Sequence, residues 1–503
     1  MTIPAPRFNA MNDAWLPLIQ SDGTMVWASP VEILCGEKDG VDLDYPRDDF
    51  RIYALLLLSA LVQALFPAKT KRELLQRIDE ALRRADVERR VKPVLTDFDL
   101  FGPTPFLQIT PPVNPPKDGG AAPFVFPGDD RSRPEDSRAI DAISLPIALV
   151  MLFAEQTYAG GAGRGHPAGP GGEPGVRTLI DPGSVRRAAW ANTLALEFAA
   201  QRYAADVVAD PWSSATRTAR SRHEIGLVSG LYFQPRGIWL IPVGNGQCSF
   251  TGALGSLVRR SPMLFKSKIT EKRPDDLWRH PCAPLGVNSQ GIGVIRLNAE
   301  RPAWTGLAQL LDPLSKEGEA HPSAGPALVL QQWKTLHASG KCPRLLILDF
   351  DRDKAKIKRR FFEAFLLTEQ FLANPNIIDR LRALVVDAQM VEKCLVRTLA
   401  SAGFVRADVA KTSFWTASEA PFLDWLARIT AVDEWNDAAA RDVDEARRSM
   451  EGALRRTART VFDAHVAVSE FNLHKQARVA QARRRLVTTL YPTPAPSAAE
   501  VTT

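Results

Sequence analysis

Hydrophobic and polar positions divide this chain into three stretches. In the first, short alternating runs lead into IYALLLLSALVQALF, Ile52–Phe66, fifteen residues that predict a helix buried on every face. A charged helix is expected near Lys71–Val91, and a second apolar one over Ala139–Gln156. The latter runs straight into YAGGAGRGHPAGPGG, Tyr158–Gly172, with seven glycines in fifteen residues. From Arg177 to about Ala204, alanines and leucines predict another helix. The middle stretch, Gly226–Leu348, alternates β-like runs (GLVSGLYFQP, GIWLIPV, ALVLQQW, RLLILDF) with polar turns. From about Lys356 onward helical periodicity dominates, in IKRRFFEAFLLTEQFL, VEKCLVRTLASAGF and ARRSMEGALRRTARTVFDAHVAVSEF.

This pattern predicts an α+β, or mixed α/β, N-terminal domain over residues 1–360 and an all-α bundle over 361–490. The tail 491–503, YPTPAPSAAEVTT, is expected to be disordered. Gly102–Pro134 is rich in proline and glycine, and missing backbone donors make it loop rather than sheet interior. So long an irregular stretch points to function or disorder. No internal repeat is visible.

Composition narrows the class. With 503 residues, 45% hydrophobic and 24% charged, the chain can bury a sizeable core. Its net charge of +6 is compatible with a polyanionic partner without requiring one. The five cysteines, Cys35, Cys248, Cys282, Cys342 and Cys394, form no CxxC pair, which argues against both a disulfide framework and a structural zinc site. The N-terminus lacks the pattern of a secretory signal. The longest apolar run is shorter than the ~20 residues a membrane span needs. A cytoplasmic protein without membrane contact, metal or cofactor is expected.

Three features carry candidate chemistry. The glycine stretch fits neither GxGxxG nor a P-loop, so a nucleotide cradle fails on spacing. A flexible linker, or a backbone that approaches a ligand closely because it lacks Cβ atoms, remains. In RLLILDFDRD, Arg344–Asp353, an apolar strand ends in DxD, the opening of haloacid-dehalogenase-like phosphatases. Asp349 would then be nucleophile and magnesium ligand, and Asp351 the acid/base. The alternating βα units such a fold requires do not follow. The third feature is basic: Arg259–Arg273 and Arg352–Arg360 each hold six basic residues against one acid. Such clusters are solvated faces or phosphate contacts. Arg447–Arg459, Arg478 and Arg483–Arg485 add basic helix faces near the C-terminus. GxSxG is absent, and the seven histidines form no HExxH or HxH pattern.

FNAMNDAWLPL, YPRDDFRIYALLLL, PFLQI, LVSGLYFQP, LWRHPCAP and RPAWTGL occur in this order over residues 8–307. In order and spacing they resemble the large subunit (CasA family) of the type I-E CRISPR surveillance complex, Cascade. The resemblance implies a mixed α/β domain followed by a C-terminal four-helix bundle. It also implies a non-catalytic, DNA-binding subunit whose partners are the other Cascade subunits, the 5′ handle of the guide RNA, double-stranded target DNA and a recruited nuclease–helicase. Such a subunit recognises the protospacer-adjacent motif (PAM), promotes strand opening and R-loop formation, and helps recruit that nuclease. Carried over by position, the family's glycine loop falls on Gly160, Gly161, Ala162 and Gly163. Its lysine finger falls on Lys268, with Lys266 beside it, in Phe265-Lys266-Ser267-Lys268-Ile269-Thr270. Its wedge falls on Asp353, Lys354 and Ala355, after an apolar strand and before what the periodicity makes a basic helix. Lys354 replaces the glutamine of the best-known wedge, which alters its chemistry. Asp349 and Asp351 would then support the wedge hairpin. Phe124 and Phe126 fall in the family's mobile loop. Only Cys248 remains where some members carry a cysteine cluster, so no zinc is expected.

Overall fold

The structure is a computed structural model. It describes residues 5–112, 140–157, 169–171, 175–206, 224–262, 264–265, 278–288, 291–298, 300–312, 324–336, 343–353, 356–366, 368, 371–372, 374–404, 407–432, 435–467 and 473–491. In chain order, the first part contains β1 (Leu16–Ile19), β2 (Met25–Ala28), α1 (Pro30–Leu34), β3 (Asp42–Leu43), α2 (Asp48–Leu65), α3 (Lys71–Asp79) and α4 (Arg84–Val91). Next come β4 (Ile143–Ser144), α5 (Leu145–Thr157), β5 (Arg177–Asp181), α6 (Val185–Ala191), α7 (Leu196–Ala199), α8 (Leu227–Leu231), β6 (Arg236–Gly237), β7 (Leu240–Gln247) and β8 (Leu254–Arg260). They are followed by β9 (Leu264–Phe265), β10 (Leu285–Asn288), β11 (Gly291–Val294), α9 (Leu307–Leu311), α10 (Leu328–Thr335), β12 (Arg344–Asp353) and β13 (Lys356–Leu366). The last part is helical: α11 (Pro375–Ser401), α12 (Ala407–Thr430), α13 (Asp437–Ala467) and α14 (Leu473–Leu490).

The apolar run forms the expected buried helix, α2, which starts a turn earlier at Asp48. Asp48 and Asp49 in its first turn favour the positive end of the helix dipole. Among the described residues, no helix is long and apolar enough to cross a membrane. Helices α5 and α6 pack against α2, and Phe50, Phe153 and Trp190 are fully buried in this core.

Four expectations from periodicity are corrected. Lys71–Val91 is two helices, because the Leu82 amide leaves the helical path to donate to Leu34 O at 2.9 Å. Arg177–Asp181 is strand β5, separated from α6 by Pro182 and by Gly183 at φ 88°, with Ser184 as the N-cap. The β-like runs LVSGL and ALVLQQW instead contain helices α8 and α10. Lys356–Leu366 is a strand, β13, where a basic helix was expected; its pairing with β12 from Arg344↔Leu366 to Asp353↔Lys356 overrides the helical pattern.

The sheets are small, and every named strand pair is antiparallel: β2-β1-β3, β13-β12-β5, β4-β8-β7, β6-β9 and β10-β11. The fold is therefore mixed α/β with a helical C-terminal part. The chain divides into two compact units, residues 1–297 with 312–366, and residues 298–311 with 367–503. In the second unit α11 packs against α12, α13 and α14. Asn298–Leu311 is locked into it by Trp304, whose ring stacks on Phe422 at 4.5 Å and meets the Trp415 edge at 5.7 Å.

Candidate nucleic-acid interface

Helix α5 is apolar until its last turn, where Glu155, Gln156 and Thr157 close it. Polar side chains at a buried helix end must find partners. The Gln156 carboxamide donates to Leu107 O at 3.2 Å and to Arg236 O at 2.8 Å, and accepts from Arg236 N at 3.2 Å. Glu155, 2% exposed, forms an ion pair with Arg236 and lies 3.7 Å from Arg260. Two buried guanidinium groups thus share one buried carboxylate.

This cluster holds the entry ends of three segments singled out above. The glycine stretch begins at the residue after Thr157. The lysine segment begins after Phe265, which pairs with Arg236 in the β6–β9 ladder. The proline-rich segment has PFLQI near its start, where Ile109 N donates to Ile238 O at 2.9 Å and Gln108 accepts from Leu240 N at 2.7 Å. Leu107 in that stretch has φ 58°, the one positive φ among described non-glycine residues. Left-handed backbone at a leucine is costly and is held only where the surroundings over-determine it.

Exit ends meet as well. A Cβ built on Gly169 would lie 3.5 Å from both Gln156 O and Thr157 O, so the chain returns to the helix end it left. A Cβ on Gly171 would lie 3.7 Å from Trp278 O. Trp278 is the first described residue after the lysine segment, and its ring fills the space a side chain on Gly230 would need, 2.1 Å from such a Cβ. The glycine and lysine segments are therefore rooted side by side at both ends.

The hairpin β12–β13 has the same neighbourhood through β5. Arg177 pairs with Leu348, and the hairpin continues to Asp353↔Lys356 with a bulge between Asp351 and Arg352. At ~3.3 Å per residue, Asp353 lies about 17 Å along the strand beyond Leu348. Arg360 ties the hairpin to α2 by an ion pair to Asp49 at 3.3 Å, and Arg51 stacks over Phe362 at 4.8 Å.

Gly160, Gly161, Ala162, Gly163, Lys266, Lys268, Lys354, Ala355, Phe124 and Phe126 lie outside the described residues; of Asp353 the backbone pairing alone is described. The structure thus gives the roots of these segments. Glu155, Gln156 and Arg236 were not singled out by sequence, and Arg260 only as one of a basic cluster; the signal was an acid–amide pair closing an otherwise apolar helix.

Basic residues sort by partner. In the first cluster Arg259 pairs with Asp141 and Arg260 with Glu155, so both serve structure. Asp349, 1% exposed, accepts from Leu297 N and Phe350 N, each at 2.7 Å. Burial pushes its carboxyl up to about 6, against the pull of those amides and of Arg296 and Arg177. Held by two backbone amides, this carboxyl ties β12 to Leu297. Burial, with Arg177 adding to it, holds His280 well below the usual imidazole value, and its Nδ1 accepts from Cys282 N at 3.0 Å, which makes WRHP a packed turn. Cys248 Sγ accepts from Ser144 N and Thr251 N, both at 3.4 Å. Among the described residues no group of three potential metal ligands converges.

Comparison with known proteins follows the same outline. Residues 9–461 match the family of CRISPR-associated protein Cse1. CasA of Thermus thermophilus is 17% identical, with 96% of this chain and 100% of that one covered at a TM-score of 0.69. Thermobifida fusca Cse1 is 15% identical, with 96% and 98% covered at 0.72. A chain of a CRISPR RNA-guided surveillance complex is 16% identical, with 97% and 100% covered at 0.68. The family match spans most of the sequence and the structural likenesses span nearly all of it: the chain belongs to the CRISPR-associated Cse1 family.

Proposed function

We propose that this chain is the large subunit of a type I-E Cascade surveillance complex, a non-catalytic component that recognises the PAM in double-stranded target DNA and promotes strand opening. Membership of the Cse1 family supports the assembly, as does the likeness to a chain of an RNA-guided surveillance complex. In that setting its partners are the other Cascade subunits, the 5′ handle of the guide RNA, target duplex and the recruited nuclease–helicase. Helices α11–α14 would form the four-helix bundle.

One observation carries the PAM reading: the glycine and lysine segments share roots at Gln156–Arg236 and at Gly171–Trp278. Two segments anchored side by side are suited to meet one stretch of duplex together. Gly160, Gly161 and Gly163, without Cβ atoms, would enter a minor groove only ~6 Å wide, where readout is largely A·T against G·C. Lys268, with Lys266, would donate to a base edge or phosphate. Lys354 at the hairpin tip would part the first base pairs, and guide pairing would supply the remaining specificity.

The test is Lys268→Ala in the assembled complex. Binding to a PAM-containing duplex is expected to weaken at least tenfold relative to wild type, about 1.4 kcal/mol, with little change on a duplex lacking the PAM. Unchanged affinity at moderate salt would overturn the finger assignment. Gly163→Asp adds bulk and charge to the glycine loop and should abolish interference; surviving interference would remove the loop from the reading.

A further inference from the structure

We propose that the groove between α11 and α14 is a phosphate-binding site for a single nucleic-acid strand, built wholly within the second unit and additional to the PAM-reading segments. It is a cavity of about 440 Å³ lined by Lys393, Arg397, Thr398, Ser401, Arg485 and Thr489 among others. Lys393, Arg397 and Ser401 follow at four-residue steps, so they stand on one face of α11; Arg485 and Thr489 do the same on α14. A seam between two packed helices ordinarily carries apolar side chains. This one carries three cations, all exposed.

Among the described residues no acid answers them. Helix α14 contains no aspartate or glutamate. On the adjoining part of α11 the one acid, Glu392, is buried away from the groove against Arg301 at 2.9 Å and Lys411 at 3.6 Å. Asp463 of α13 is held by Arg483, which leaves α14 on another face from Arg485. Among the described residues, Lys393, Arg397 and Arg485 make no ion pair. The hydroxyls of Thr398 and Ser401 donate inward to Cys394 O at 2.7 Å and Thr398 O at 2.8 Å, and Arg478 closes one end by donating to Ser401 O at 3.2 Å. The groove therefore offers cationic donors to an anion, and like charges in one cleft repel until an anion enters.

The face from Met390 to Ser401 runs about 16 Å along α11, at ~1.5 Å per residue. Within it the two cations of α11, Lys393 and Arg397, stand about 6 Å apart along the axis, with Arg485 lining the same cavity from α14, so neighbouring phosphates of one strand can meet all three. The identity of the ligand as nucleic acid rests on the function proposed above; the anion site itself does not.

The experiment uses the purified full-length chain and a fluorescein-labelled oligothymidine, read by anisotropy across a salt series. The triple variant Lys393→Ala, Arg397→Ala, Arg485→Ala is compared with Arg83→Ala, Arg84→Ala, Arg89→Ala. The second triplet removes the same charge from exposed arginines paired with Asp86, Glu37 and Glu88. The groove variant should bind about tenfold more weakly or worse, with a log–log salt slope shallower by about 2, as expected for three single-strand phosphate contacts. The control should stay within about twofold of wild type. Equal weakening in both triplets, or none in the groove variant, overturns the proposal. So does millimolar pyrophosphate raising the melting temperature of wild type but not of the groove variant, if oligothymidine affinity is unchanged by the variant, since the site would then take a small anion. The PAM reading is tested on PAM duplex with the assembled complex and the groove on oligothymidine with the isolated chain, so failure of the PAM reading and failure of the groove are told apart.

Discussion

Gln156 holds Arg236 from both sides: its carboxamide donates to the Arg236 carbonyl at 2.8 Å and accepts from the Arg236 amide at 3.2 Å. This is the hydrogen-bond pattern of a neighbouring strand, supplied by a side chain. It sets the end of α5 in register with β6, and through β9 with the chain entering the lysine segment. The same NH2 group reaches Leu107 O, so one residue positions three segments.

Gln156→Ala is expected to leave Leu107 O and both polar groups of Arg236 without this partner in a fully buried place. At roughly 1–3 kcal/mol for a buried group left unsatisfied, the expected loss is about 2–4 kcal/mol, read as a lower urea midpoint at constant slope. Binding of the assembled complex to PAM duplex should fall further than in a variant of matched stability elsewhere, for example Ile78→Ala. Equal losses would make Gln156 a stability residue alone.

Glu155 contacts both Arg236 and Arg260 with one carboxylate. Replacing it by glutamine removes that shared charge from two buried guanidinium groups, and breaking a buried ion pair by removing one partner typically costs about 3–5 kcal/mol. The double variant Glu155→Gln, Arg260→Met removes one of those charges with it. It should recover part of the loss, which a double-mutant cycle on urea unfolding would measure as a non-additive term of about 1–3 kcal/mol.

For the hairpin tip, Lys354→Ala should reduce strand opening more than duplex binding. Permanganate reactivity of thymines next to the PAM, measured on complexes at saturating protein, is the check. A variant with normal reactivity and weakened duplex binding would make Lys354 a phosphate contact instead of a wedge. The register Asp353↔Lys356 leaves two residues at the tip, too short a turn for a helix to begin there.

Legibility in the sequence depended on how local each determinant was. Helix α2 was readable because thirteen of the fifteen residues Ile52–Phe66 are apolar, which allows few other solutions. Strand β5 was not, since Arg177–Asp181 becomes extended by pairing with β12, more than 160 residues away. Pro182, Gly183 and Ser184 did mark where the next helix starts, and the alanine-rich pattern was carried backward across that break. Strand β13 failed for the same reason: Phe361 and Phe365 suit a helix face as well as alternate positions of a strand, and only β12 decides between them. The candidate segments were legible through glycines, lysines and motif order. Their common root was not, because Glu155, Gln156, Arg236 and Arg260 meet across about a hundred residues and carry no motif.

Asp349 offers a test that needs no nucleic acid. Its carboxyl titrates at about 6 in the folded chain, against 3.8 for the free side chain, because burial disfavours the charged form. A raised acid binds its proton more tightly when folded, so between pH ~4 and ~6 the folded state holds more protons than the unfolded state. Stability from this group is therefore greatest below pH ~4, declines as pH rises towards ~6 and is level above. The shift corresponds to roughly 3 kcal/mol. His280, buried and neutral, acts in the opposite direction as pH falls below its unfolded value, so the quantity to read is the difference between wild type and Asp349→Asn. The variant should be less stable at pH 7 by about 1–3 kcal/mol, since its NH2 group faces Leu297 N or Phe350 N in place of an acceptor. Its deficit should widen as pH is lowered from 6 to 4, where wild type alone gains stability by protonating Asp349. A deficit that stays constant across that window would mean that Asp349 titrates normally and that its enclosure by β12 and the Leu297 amide is looser than the geometry indicates.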